Sequence, residues 1–294
     1  MSATPFTALA CPLDGTPLQR QGGSLRCPEG HCFDLAAQGY VNLLPVQNKR
    51  SRDPGDSKEM VAARRRFLEA GHYAPIAAAV ARTVFEGAAP GQTLACLDAG
   101  CGEGYYLRQL SAAAAVEART LALAGLDISK WAVQAAAKRD LQDARSRAGA
   151  DPSTAWIVGS NAGLPVLPAT LDRVLCMFGF PVYPEFARVL RRGGELLQVD
   201  AGPDHLRELR EVIYPALKPE RPASRAAPPG FEHLASDTLR FQIHVDGAAQ
   251  IADLLAMTPH LYRASAEGRA RAAALTALTM TVDVRLARYQ RLPG

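Results

Sequence analysis

The residues with the clearest chemical purpose are the glycines of LDAGCGEGYY, residues 97–106. Gly100, Gly102 and Gly104 stand directly after an apolar strand-like run and directly before a helical pattern. Without Cβ atoms the backbone can pass close under a ligand where any side chain would collide. The spacing is G-x-G-x-G, led by the acid Asp98, and not the G-x-G-x-x-G of dinucleotide enzymes. That difference favours S-adenosylmethionine over a nicotinamide cofactor. The next apolar run ends in LAGLDIS, which puts Asp127 where an acid can accept hydrogen bonds from ribose hydroxyls. In GSNAGLP, Asn161 or its backbone is a candidate for the adenine edge. The competing reading is structural: a tight strand-to-helix turn for the glycines and a helix cap for Asp127. A glycine loop joined to terminal acids at two successive strands speaks for the ligand, because open α/β sheets bind at the carboxyl ends of their strands.

A second chemical group lies near the start, in CPLD and then, a hairpin's length later, CPEGH. A structural zinc takes four ligands from two close-spaced pairs in a tetrahedron. Cys11, Cys27 and His31 suit three of the positions, and Asp14 stands where the second cysteine would be. Carboxylates also ligate zinc, so Cys11, Asp14, Cys27 and His31 form a chemically possible set, with Cys32 a spare thiol beside it. The alternative is a metal-free knuckle with buried thiols. Cys101 and Cys176 read as small core residues rather than nucleophiles.

These groups need a scaffold to bring them together. From Thr93 onward, strand and helix patterns alternate, which predicts a parallel sheet with crossover helices. Strands are expected near Leu94 to Asp98, Thr120 to Asp127, Thr154 to Val158, Asp172 to Met177 and Glu195 to Asp200, with helices between them. Two helices should precede this region, one capped by Asp56 or Ser57 and stopped by Gly71, the other from about Tyr73 to Phe85. After Gly202 a helix is expected to about Leu217, and later FQIHV and TMTVDVRL as strands around two helices. The predicted class is α/β: a Rossmann-like class I methyltransferase domain with a mostly parallel seven-stranded sheet, plus a small N-terminal zinc-ribbon-like module. Boundaries are placed at 1–38 for the module, 39–72 for a basic linker and helix, and 73–294 for the large domain. A module of that size cannot bury much core and needs a staple.

The 294 residues allow one large domain and one accessory unit. Charged residues at 21% and hydrophobic residues at 48% lie in the usual globular range, so disorder is not the default reading. A net charge of +4 permits a nucleic-acid partner without requiring one. The start has neither a basic n-region nor a sustained apolar stretch, and the longest apolar run, Ala272 to Val282, is too short to span a bilayer. The expected setting is cytoplasmic, away from membranes, with thiols free or metal-bound.

With the linker included, a resemblance becomes close. The stretch CPEGHCFDLAAQGYVNLLPVQNKRSRDPGDSKEMVAARRRFLEAGHYAPI is similar to the RlmA family of 23S rRNA (guanine-N1)-methyltransferases. The similarity continues through LDAGCGEGYY, LDISKWAVQAAAKR, ARVLRRGGELLQV and GPDHLRELREVIY to DLLAMTPHLYRAS, nearly the whole chain. It implies a zinc ribbon that recognises an rRNA hairpin, an S-adenosylmethionine-dependent catalytic domain, and a homodimer presenting a cleft to the RNA. Carried over by position, the family's cofactor contacts fall on Tyr73, on Gly102 and Glu103, and on His205. Its zinc ligands fall on Cys11, Asp14, Cys27 and His31, where Asp14 replaces the family's cysteine. CMFGFPVYPEF departs from the family's wording and, following the fourth strand, should line the base pocket. Lys49, Arg50, Arg52, Arg64, Arg65 and Arg66, placed between ribbon and catalytic domain, are expected to meet phosphates.

The implied reaction is methyl transfer to guanine N1, with the protein holding two reactants at near-attack geometry. A paired guanine hides N1, so the target must be unpaired or extruded and then stacked, with Phe178, Phe180 and Tyr183 as candidate walls. No residue of the sequence identifies itself as the proton acceptor. The alternatives are a small-molecule methyltransferase, which has no use for ribbon or basic linker, and a noncatalytic rRNA-binding protein that keeps the cofactor as ligand.

Overall fold

A computed structural model describes residues 2–48, 51, 53–146, 152–217 and 226–293. The N-terminal region contributes β1 (Ala3–Pro5), a three-stranded antiparallel sheet of β2 (Gln19–Gln21), β3 (Ser24–Arg26) and β4 (Cys32–Asp34), and then β5 (Tyr40–Asn42). Helix α1 (Lys58–Glu69) is capped by Ser57, whose hydroxyl accepts from the Met60 N–H at 3.3 Å, and Gly71 at φ +85° turns the chain away after it. Helix α2 (Ala74–Phe85) buries Ile76, Val80 and Val84 along one stripe, as their spacing predicts.

The alternating region follows as β6 (Thr93–Ala99), α3 (Tyr105–Val116), β7 (Thr120–Asp127), α4 (Lys130–Ser146), β8 (Thr154–Val158), β9 (Leu171–Met177), α5 (Tyr183–Val189) and β10 (Leu190–Ala201). After α6 (Arg207–Ile213) come β11 (Phe231–Asp246), α7 (Ala248–Ala256), α8 (His260–Arg263), α9 (Ala266–Ala273) and β12 (Ala277–Arg291). The large sheet runs β11-β12-β10-β9-β6-β7-β8-β5, with β1 also pairing β7. Strands β6 to β10 pair in parallel, and β12 runs antiparallel to both of its neighbours. The seven strands expected from sequence form the body of a class I methyltransferase sheet, and β1 and β5 extend it to nine. The chain leaves β6 in one direction to β7 and β8 and returns on its other side with β9. The carboxyl end of β6 is therefore the topological switch point, where such sheets bind ligands.

Three departures from the expected elements have local causes. Strands β11 and β12 are much longer than FQIHV and TMTVDVRL, because they pair along their whole length from Phe231↔Arg291 to Asp246↔Ala277. Strand β10 starts at Leu190, ahead of the glycines, and Gly193 and Gly194 lie in the register shift between Leu190 and Glu195. The helix after Gly202 is short. Residues 203–206 are drawn into a turn against β12, where the Asp204 N–H donates to Asp283 at 3.0 Å and the Leu206 N–H to the Thr281 carbonyl at 2.7 Å.

Apolar residues bury on both faces of the sheet. One cluster joins α1, α2, α3 and α7 through Phe67, Ile76, Val80, Leu107 and Leu254. The other joins Phe6, Leu9, Leu18 and Leu25 of the N-terminal region to Val166, Leu171, Val174 and Phe186. The N-terminal unit thus shares its core with the large sheet, and β1 lies within that sheet. Among the described residues no helix is long and apolar enough to cross a membrane.

Candidate functional site

The loop between β6 and α3 is built by two different kinds of glycine. A Cβ at Gly104, which has φ +82°, would sit 2.5 Å from the Trp156 ring, and one at Gly125 would meet the same ring at 2.5 Å. Trp156 is itself held by its Nε1–H donating to Asp140 at 3.0 Å. Gly104 is therefore required by packing against β8, a contact the motif does not announce. Gly100 and Gly102 border open space. Nothing lies within 4 Å of a Cβ at Gly100, and at Gly102 only Arg64 atoms do, Nη1 at 3.6 Å and Cδ at 3.8 Å. These two are the positions where backbone can approach a ligand.

Three acids surround this loop, Asp98 and Glu103 buried and Asp127 partly so. Asp127 accepts the Gly102 N–H at 2.9 Å through one oxygen and the Ser129 N–H at 2.8 Å through the other. Asp127 therefore braces two turns, as the capping reading expects, and each oxygen retains a second acceptor site. Asp98, at the end of β6, is fully buried and neither oxygen has a partner among the described residues. Burial, and then the neighbouring Asp127 charge, pushes its carboxyl up to about 8. Glu103 gives one oxygen to Arg108 at 2.6 Å and leaves Oε1 buried without a partner. Its carboxyl is raised by burial, against the pull of Arg108.

Such unpartnered buried acceptors are costly unless a ligand completes them. S-adenosylmethionine fits what is missing. Its sulfonium and ammonium are cationic, its ribose hydroxyls are donors, and it needs backbone clearance at the glycines.

Tyr73 precedes α2 and His205 precedes α6, yet the Tyr73 hydroxyl and His205 Nε2 meet at 3.1 Å. His205 Nδ1 accepts the Asp283 N–H at 3.3 Å, so the ring proton sits on Nε2 and is donated to Tyr73. Burial drives the His205 pKa down to about 4, which keeps the ring neutral. The Tyr73 O–H is then left to donate elsewhere. Phe178 stands over both rings, with centroids 6.1 Å from Tyr73 and 5.7 Å from His205, on a backbone at φ +52°. That conformation is costly for a bulky residue and is a mark of functional positions.

Of the other expected stacking walls, Phe180 is 89% exposed. Tyr183 donates to Gln198 at 3.0 Å and packs edge-on against Phe231. Asn161 donates to the carbonyls of Ala99 and Phe180 at 3.3 and 3.4 Å, and its Oδ1 is buried without a partner. It bridges the cofactor strand to the loop after β9. The Tyr106 hydroxyl, in the same motif but not singled out by spacing, is also buried and unpartnered.

The linker charges divide. Lys49, Arg50 and Arg52 lie outside the described residues. Arg64 pairs with Asp56 and donates to the Met257 carbonyl at 3.0 Å, and Arg66 makes a two-pronged pair with Asp253 at 2.8 and 2.5 Å. Two of the three arginines of α1 are thus paired within the chain, and Arg65 and Arg66 are exposed.

At the N-terminal unit, one ligand atom each from Cys11, Asp14, Cys27 and His31 lies within 4.8 Å of all the others. His31 Nδ1 is 3.5 Å from Cys11 Sγ and 3.4 Å from Cys27 Sγ, and Cys27 Sγ is 3.3 Å from Asp14 Oδ2. A zinc tetrahedron with bonds of roughly 2.0 to 2.3 Å has edges of roughly 3.3 to 3.8 Å. Of the six edges, these three match, and a further one, His31 to Asp14 at 2.7 Å, is a hydrogen bond that metal binding would open. Thr16 donates through its backbone and hydroxyl to Asp14 Oδ1, at 2.8 and 2.5 Å, which turns Oδ2 toward the cluster. These bonds also hold the carboxyl well below its ordinary range. Cys32 is exposed and outside the group.

The chain also resembles known proteins in sequence. Residues 9–52 match the family model described as RlmA, N-terminal, a zinc ribbon, and residues 96–200 match a methyltransferase domain. A Micromonospora griseorubida protein whose name is "Putative 23S rRNA (guanine-N(1)-)-methyltransferase" is 37% identical over 96% of this chain and 97% of its own. The 23S rRNA (guanine(748)-N1)-methyltransferase of Streptomyces fradiae is 34% identical over 90% of this chain and 89% of its own. An S-adenosylmethionine-type sheet and glycine loop, a four-ligand ribbon and end-to-end likeness to these relatives place the chain in the RlmA-type 23S rRNA (guanine-N1)-methyltransferase family.

Proposed function

We propose that this chain transfers a methyl group from S-adenosylmethionine to N1 of a guanine in a hairpin loop of 23S rRNA, acting in the cytoplasm as a homodimer. The observation that carries the reading is the unpartnered Asp98 carboxylate, buried at the switch point beneath the open backbone of Gly100 and Gly102. The target rests on the relatives, whose names specify guanine N1 of 23S rRNA.

The cofactor, when bound, supplies an electrophilic methyl group on a sulfonium. Asp127 takes the ribose hydroxyls while bracing the loop, Asp98 and Glu103 face the cationic end, Gly100, Gly102 and Gly104 keep the path clear, and Asn161 reaches the adenine edge. Tyr73 and His205 form the wall against which the methionine moiety lies. Phe178, stacked over that wall, offers its exposed face to the extruded base. Guanine N1 would form its bond to the methyl carbon as the sulfonium S–CH3 bond breaks, leaving S-adenosylhomocysteine, and the N1 proton would pass to solvent, with near-attack placement of the base the chain's main contribution.

In this reading residues 1–38 are the ribbon that recognises the hairpin, 39–72 carry it on a basic linker, and 73–294 hold the chemistry. Zinc bound by Cys11, Asp14, Cys27 and His31 shapes the recognition surface. The test is methylation of a 23S rRNA fragment in vitro, followed by nuclease digestion and mass spectrometry for N1-methylguanosine. Methylation of free nucleosides or metabolites in place of the fragment favours a small-molecule enzyme. Binding of the fragment with no methylated nucleoside at all favours the noncatalytic reading.

A further inference from the structure

The linker segment brings a cation, Arg64 of α1, to the glycine loop. Residues Gly55 and Asp56 pass directly over the turn after β7. A Cβ at Gly55, which has φ +85°, would lie 2.8 Å from Ser129 Cβ, and the Ser129 hydroxyl donates to the Asp56 carbonyl at 2.7 Å. Asp56 in turn holds Arg64, whose other end is fixed by the Met257 carbonyl. So anchored, the guanidinium projects over Gly102, where its atoms alone among the described residues fall within 4 Å of an added Cβ.

Charge makes this placement informative. Asp98, Glu103 and Asp127 are acids around one loop, and the Arg108 guanidinium is spent on Glu103. Asp98 suits an ammonium or sulfonium, but an amino-acid ligand also carries a carboxylate, which cannot be placed against these acids. Arg64 uses two of its five N–H groups on Asp56 and Met257, and a guanidinium is shaped to take a carboxylate on a remaining edge.

We infer that Arg64 is a specificity residue of the cofactor site, which binds the α-carboxylate of the methionine moiety above Gly102 while Asp56 holds its orientation. The inference rests on the glycine-loop reading of the cofactor site. It gives one arginine of the basic helix α1 a role toward the cofactor, where its place between ribbon and catalytic domain had pointed to RNA phosphate.

The test compares two probes by calorimetry on the full chain: S-adenosylhomocysteine, which carries the amino-acid end, and methylthioadenosine, which lacks it. Arg64→Ala is expected to weaken S-adenosylhomocysteine by about ten- to a hundredfold and leave methylthioadenosine unchanged. Arg64→Lys should recover part of the loss, since it restores charge without the planar fork. An unchanged affinity for S-adenosylhomocysteine overturns the assignment. So does equal weakening of both probes in Arg64→Ala and in the milder Arg64→Lys, which makes Arg64 a strut of the linker. Wild-type chain that binds neither probe removes the cofactor reading itself, and this assignment with it, a result distinct from either of the others.

Discussion

The Gly102 N–H and the Asp127 carboxylate are joined at 2.9 Å across the ends of two adjacent strands. One bond therefore couples the shape of the glycine loop to the acid proposed to take the ribose hydroxyls. Asp127→Ala is expected to weaken S-adenosylmethionine by about 1 to 3 kcal/mol, with loss of both the ribose contact and the loop brace. Gly102→Val should weaken it as well, and should also lower the melting temperature, because φ +55° is strained for valine by roughly 1 to 3 kcal/mol. Calorimetric affinities equal to wild type in both variants would move the cofactor away from this loop.

Asp98 is expected to make cofactor binding depend on pH. Its carboxyl titrates near 8 in the folded chain, against 3.8 ordinarily, so between these values the folded state carries a proton that the unfolded state has lost. Stability of the ligand-free protein should accordingly fall as pH rises through that window. A cationic ligand favours the ionised form, so affinity for S-adenosylmethionine should rise from pH 6 to pH 8, and binding at pH 7 should release protons. Titrations in buffers of different ionisation enthalpy measure the release directly. No proton release, together with a flat affinity profile, would show that Asp98 is ionised before the ligand arrives.

The Gly104 and Trp156 contact predicts a stability effect separate from binding. Gly104→Ala places a methyl group 2.5 Å from the ring on a positive-φ backbone, and overpacking of this kind costs about 1 to 3 kcal/mol. Trp156→Phe should relieve part of that cost, so the double variant should be more stable than the sum of the single changes in urea unfolding. Strict additivity would mean that the two residues do not press on one another.

The metal set differs from a three-thiolate site by one residue. Two thiolates, one imidazole and one carboxylate make a harder site, so Asp14→Cys should hold zinc longer against chelator. Cys27→Ser should lose it. Structural zinc supplies roughly 10 to 16 kcal/mol to small fingers that have no other core. Here Leu9, Leu18 and Leu25 share a cluster with the main sheet, so the metal-free unit should keep partial order and the catalytic domain should stay folded. Elemental analysis with circular dichroism decides it, and zinc retained at full occupancy in Cys27→Ser would exclude that thiol as a ligand.

What the sequence determined by itself was whatever local chemistry repeats along the chain. Continuous apolar runs located β6 to β9, because strands buried on both faces leave no polar alternation to confuse them. The acids that end β6 and β7 and the cysteine spacing followed from position alone. The extra length of β11 was not legible, because its outer half is mostly exposed and its strand form comes from backbone pairing with β12, which leaves no hydrophobic pattern. Only the tertiary structure could bring Tyr73 to His205 across 132 residues, set Trp156 against Gly104, or carry Arg64 of the linker over Gly102. Each of those contacts depends on sheet order and helix docking. These arise from the packing of many elements at once, and no single segment records them.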